Sequence, residues 1–92
     1  MAINLSVVRG VRLMANSTER FIADVQSGGY HLRLISEIMP AGCTAIVYDL
    51  KAKRVLFKES AENLEASKAK AEGFARELVS SRPTILWQRI TA

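Results

Sequence analysis

The chain has little of what catalysis and metal binding usually need. Among its 92 residues there is one cysteine, Cys43, and one histidine, His31. A lone cysteine cannot form an intrachain disulfide, so nothing argues for an oxidising compartment. His31 has no second histidine or cysteine at ligand spacing, and a metal site would have to recruit Asp24, Glu37 or Cys43 from elsewhere in the chain. No metal and no cofactor are therefore expected. A Gly-rich phosphate loop is lacking too, because Gly28 and Gly29 lie between two strand patterns rather than between a strand and a helix. No apolar run approaches the roughly 20 residues that cross a bilayer. The opening MAINLSVVRG has neither the basic start nor the long apolar core of a secretory leader. Cytoplasm is the expected compartment, with no membrane partner and no small-molecule substrate. Repeats and low-complexity stretches are also missing.

What is present is an ordinary globular composition, 49% hydrophobic and 24% charged. Residues 1–92 read as a single domain. Its one long helical pattern is SAENLEASKAKAEGFARELVSS, Ser60 to Ser81. Leu64, Ser67, Ala71, Phe74, Ala75 and Leu78 fall on one stripe at 100° per residue. Glu62, Glu65, Ala66, Lys70, Arg76 and Glu77 fall opposite. Ser60 is placed to cap the first turn, Glu62 sits where the helix dipole favours an acid, and Pro83 ends the pattern. Glu72 and Arg76 are spaced to pair. The middle of the stripe is small, which suits a helix lying close across a sheet. Gly73 falls on the outer side, either tolerated there or admitting another chain.

The rest reads as strands. Arg20 to Gln26 alternates cleanly, Ser27-Gly28-Gly29 signals a tight turn, and Tyr30 to Ser36 returns. Met39-Pro40-Ala41-Gly42 is a turn with proline second. Thr44 to Asp49 and Arg54 to Glu59 follow, joined by a basic loop over Leu50 to Lys53. Met1 to Met14 reads as a further strand broken at Gly10, before a polar loop over Ala15 to Glu19. Thr84 to Ile90, TILWQRI, reads as a short C-terminal strand. The fold class is therefore α+β: an antiparallel meander of four to six strands with one long helix, about 60–81, on one face.

One helix covers one side of a sheet. If Phe21, Ala23, Val25, Tyr30, Leu32, Leu34, Val55 and Phe57 lie under it, then Ile22, Ile35 and Leu56 lie on the other side, with either the Ala45/Val47 or the Ile46/Tyr48 pair. A face open to water alternates more cleanly into polar residues than this. The N-terminal segment, the C-terminal strand or a second copy of the chain would cover it. A homodimer is the favoured reading, with Ile22, Ile35, Leu56 and Trp87 at its interface.

The net charge of +4 is unevenly spread. Residues 1–58 hold eight Lys/Arg against four acids, and residues 59–92 hold five of each. The excess belongs to the strand-rich half, which points to a polyanion. Arg33, Lys51, Lys53, Arg54 and Lys58 would meet phosphates, and Tyr48 would stack a base of single-stranded DNA or RNA. A curved meander followed by a helix, dimerising through secondary structure, is similar to the single-stranded-DNA-binding transcriptional coactivator and Whirly type of fold. The similarity is one of architecture, without a shared motif, and it implies a single-stranded nucleic acid as ligand. The expected function is thus a non-enzymatic, homodimeric binding domain for single-stranded nucleic acid. The alternative is a protein-assembly module working through the uncovered sheet face. An enzyme using His31 or Cys43 is the poorest class, since Gly42 and Thr44 offer no charge to activate the thiol.

Overall fold

The structure, a computed structural model, describes residues 19–90. The strand expected over Met1 to Met14 lies outside the described residues. Five strands and one helix follow in the order β1 (Glu19–Ser27), β2 (Tyr30–Met39), β3 (Gly42–Asp49), β4 (Arg54–Ala61), α1 (Leu64–Val79) and β5 (Gln88–Ile90). The strands form one antiparallel sheet in the order β4-β3-β2-β1-β5, with α1 across one face. This is the expected α+β architecture.

Each hairpin is set by local chemistry. Between β1 and β2, Gly28 and Gly29 have φ of 58° and 84°. Positive φ at both positions is what the two-residue type I′ turn requires and what side chains resist. Ser27 consequently faces Tyr30, and the whole register of β1 on β2 follows. Between β3 and β4, the Asp49 carboxylate oxygen Oδ1 accepts from the amides of Lys51 (2.9 Å) and Ala52 (3.0 Å). The loop closes with Lys53 in the left-handed region at φ 58°.

Both ends of the helical pattern differ from the sequence reading. Ser60 remains in β4 opposite Thr44, so it cannot cap. Asn63 does so instead, its Oδ1 accepting from the Ala66 amide at 2.8 Å. At the other end Ser80 turns left-handed (φ 52°, ψ 40°) and stops the helix before Pro83 is reached. Of the expected strand TILWQRI, only Gln88–Ile90 pairs, against Arg20–Ile22 of β1. In the preceding stretch, which does not pair, Ile85 and Trp87 pack against the core.

The core lies between α1 and the sheet. Ser67, Ala71 and Ala75 on the helix and Leu32, Leu34, Ala45 and Val47 beneath it are completely buried. Small residues along the middle of the stripe let the helix backbone sit close over β2, β3 and β4. Ser36 and Ser67, both fully buried, satisfy one another by a hydroxyl–hydroxyl hydrogen bond. At the margin Phe57 stacks on Phe74 with ring centroids 4.9 Å apart. Gly73 is exposed on the outer side, and a Cβ there would meet nothing within 4 Å.

Two substitutions on this helix should therefore move stability in opposite directions in urea unfolding. Ala71→Leu has no room and should cost about 1–3 kcal/mol. Gly73→Ala fills open space in a helical conformation and should gain up to about 1 kcal/mol.

Candidate functional site

The register of the sheet defines the face that the helix does not touch. Three cross-strand rows cross it. The first joins Asp24, Arg33, Tyr48 and Val55. The middle row joins Ile22, Ile35, Ile46 and Lys58, with Gln88 beside Ile22. The third joins Arg20, Glu37, Thr44 and Ser60, with Ile90 beside Arg20. Three isoleucines thus lie side by side on β1, β2 and β3, each only partly buried. At the sheet margins the same face exposes Val55 (53%) and Ile90 (38%).

Ion pairs flank the isoleucines on both sides. In the first row Arg33 grips Asp24 through Nε to Oδ1 (2.8 Å) and Nη2 to Oδ2 (3.0 Å). In the third, Arg20 reaches Oε2 of Glu37 with Nε and Nη2, both at 3.0 Å. Glu37 is 7% exposed, so its carboxylate depends on that arginine. The hydrogen bond from Arg33 is the main cause holding the Asp24 carboxyl below its usual range. Burial opposes it, and the charges of Arg33 and His31 assist. The same contact raises Arg33 above the ordinary guanidinium value.

The six residues read as phosphate and base contacts do not form one surface. Arg33 is already bound to Asp24, and Lys51 Nζ donates to the Gly29 carbonyl at 2.9 Å, across to the neighbouring hairpin. Tyr48 and Lys58 do share the open face, in adjacent rows. Arg54 stands opposite Asp49, on the helix side of the sheet. Lys53, Arg54 and Lys58 are exposed and make no ion pair among the described residues.

The four residues read as an interface are also divided. Ile22 and Ile35 face one another on the open side. Leu56 does not join them. A β-bulge shifts the register of β4 between Val47 and Tyr48, so that Val47 pairs with Phe57 but Tyr48 pairs with Val55. Leu56 is the extra residue, packed against the core cluster, and Val55 moves from the helix side to the open side. Trp87 also belongs to the helix side. Its indole Nε1 donates to Glu72 Oε2 at 2.7 Å, Arg76 holds the other oxygen at 3.0 Å, and Lys68 Nζ lies 4.5 Å from the Phe21 ring centroid and 5.7 Å from that of Trp87. The residue that completes the open row is Ile46. Its position follows from the Met39-to-Gly42 turn, which sets it opposite Ile35.

His31 and Cys43 are separated. Cys43 is buried on the helix side opposite Ile38, whereas His31 faces Gln26 on the open side. Six residues of β2 lie between His31 and Ile38, seven steps or about 23 Å at strand spacing. No group of three or more His, Cys, Asp or Glu able to hold a metal occurs among the described residues. No helix among them is long and apolar enough to cross a membrane. No family model, curated protein or solved structure matches the chain.

The Asp24–Arg33 pair carries a pH signature. Because the carboxyl is lowered in the folded state, the pair stabilises the fold above the ordinary carboxylate pKa of about 3.9. That contribution drains away as the pH falls through the lowered native value. At pH 7 and fixed protein concentration, Asp24→Asn should cost roughly 0.2–1 kcal/mol, as exposed pairs do. In chemical denaturation repeated at descending pH, the gap between the two proteins should close in acid. A gap that persists or widens there would show that the pair is not its source.

Proposed function

We propose that the chain is a non-catalytic binding domain of the cytoplasm that self-associates through its open sheet face. The observation that carries this reading is the row Ile22, Ile35 and Ile46, unbroken by any polar residue across three neighbouring strands. An exposed sheet face ordinarily turns polar residues outward, and contiguous apolar patches rimmed by polar groups mark interaction sites. The rim here is self-neutralised by Asp24–Arg33 and Arg20–Glu37. A partner approaching it meets dipoles of paired charge rather than isolated ions, which lowers the desolvation cost of contact. A second copy supplies a surface of matching chemistry, and two-fold dimers are the commonest closed assembly.

Sedimentation equilibrium over micromolar to millimolar protein should show a monomer–dimer equilibrium. Ile35→Lys should weaken it by more than about tenfold, as loss of a central apolar anchor does, while the far-ultraviolet circular dichroism stays unchanged. A species that remains monomeric throughout that range would rule out self-association.

A second reading rests on the β4 side, where Lys53, Arg54 and Lys58 have no acidic partner among the described residues and Tyr48 lies in the row next to that of Lys58 on the open face. These groups suit the backbone and bases of a single strand. If all three cations meet phosphates, the affinity for a labelled single-stranded oligonucleotide should fall with a log–log salt slope of about −2 per protomer. Lys53→Ala with Lys58→Ala should flatten that slope by roughly two thirds. Anisotropy that does not change with protein even at low salt would eliminate this reading.

A further inference from the structure

Resting on self-association through the open face, we infer that two copies stack sheet on sheet about a two-fold axis that runs along the isoleucine row. The charges around the row select this arrangement. Take the row as the axis, so that each strand lies over its own copy and runs the opposite way. Positions on one side of the row then face positions on the other side in the partner. Ile22, Ile35 and Ile46 each meet their own copy. Arg33, two residues before Ile35, lies over the partner's Glu37, two residues after it. Asp24, two residues after Ile22, lies over the partner's Arg20. The pair Asp24–Arg33 of one copy thus closes with the pair Arg20–Glu37 of the other into a ring of four charges that alternate in sign. Symmetry makes two such rings, one on each side of the isoleucines.

Other axes do less. With the axis along the strands and through β2, Arg33 faces its own copy, and like charges without water between them repel. With the axis along the strands but between β1 and β2, opposite charges again meet, since Asp24 lies over Arg33 and Arg20 over Glu37. Ile46 is then set over Gln88, so an apolar side chain is lost to a polar one. Only the axis along the row both matches the charges and buries all three isoleucines against each other. Its one unfavourable contact is Lys58 near its own copy at the β4 margin. That side chain is exposed and long enough to carry its ammonium into water. Stacked sheets also cross at about 30°, which separates the margins further than the centre.

Cysteine cross-linking of the full chain tests the axis separately from the dimer itself. In a Cys43→Ala background, Ile46→Cys should form a covalent dimer with a short bismaleimide, because Ile46 is set over its own copy. Loss of an isoleucine could loosen the contact, so a second test keeps all three. A mixture of Thr44→Cys chains with Tyr48→Cys chains should cross-link between the two kinds, and neither kind should cross-link with itself. Glu65→Cys, on the exposed side of α1, should stay monomeric in the denaturing gel. If sedimentation shows a dimer but neither design cross-links, while Ile46→Cys mixed with Gln88→Cys does, the axis lies between β1 and β2. The inference is then overturned and self-association stands. If sedimentation shows a monomer, both fall together, and residues 1–18 or a different protein become the occupants of the face.

Discussion

Close approach of α1 to the sheet is the constraint on which everything else in this molecule depends. Ser67, Ala71 and Ala75 present almost no side chain beyond Cβ, and all three are fully buried. Larger residues there would lift the helix, and the contacts from Leu32, Leu34 and Val47 would be spread over a gap. Because the helix sits low, its margins can be closed by longer groups. Phe74 reaches Phe57 on one side, and Val79 ends the helix beside Gly28, where a side chain's Cβ would come within 3.4 Å of the Val79 carbonyl. The same closeness requires Ser36 and Ser67 to find each other, since no water-facing partner is left to either hydroxyl.

A low helix is also a narrow one. It spans β2, β3 and β4, and the β1 side is completed by the chain after Ser81, with Ile85 and Trp87 against the core. Trp87 is fixed there by Glu72, which Arg76 holds in turn. Beyond Trp87 the chain joins the sheet edge, pairing with β1 over Gln88–Ile90. Ile85 and Trp87 are thereby committed to the helix side, and only Gln88 and Ile90 reach the open face, at its β5 margin.

Much of this was legible in the residues. Alternation over Arg20 to Gln26 and the Gly28-Gly29 turn already imply which residues of β1 and β2 oppose one another. Each step back along β1 is matched by a step forward along β2, so Asp24 meets Arg33, Ile22 meets Ile35 and Arg20 meets Glu37. The basic excess counted along the chain therefore overstated the free positive charge, because two of its arginines are consumed by carboxylates across the hairpin. What alternation could not reveal is a break in its own period. One extra residue in β4 exchanges the faces of Val55 and its neighbours, and nothing in RVLFKES marks where it falls. The sequence reading places the cap three residues early, at Ser60, for a related reason: the pairing of Ser60 with Thr44 keeps it in β4, and Asn63 caps instead.

The two faces of the sheet are unequal in a way that bears on function. On the helix side small and aliphatic residues fill the centre and aromatic ones close the margins, and their fit is settled within one chain. On the other side isoleucines occupy the centre, and charges that could have kept the face solvated are spent on each other. In a chain of this size a single helix–sheet core buries only a modest share of the surface, so leaving three adjacent isoleucines to water forgoes stabilisation that a second layer would supply. A sequence selected only to keep this face wet would place Thr, Lys or Glu at Ile22, Ile35 and Ile46, as it does at Thr44 and Lys58 in the same sheet. On the proposed reading the face is half a sandwich, with the apolar filling in the middle row and the ion pairs that would fix alignment on either side. Apolar contact alone would hold two such faces together in many orientations. It is the two flanking ion pairs, of opposite order on the two sides of the row, that give the face a direction.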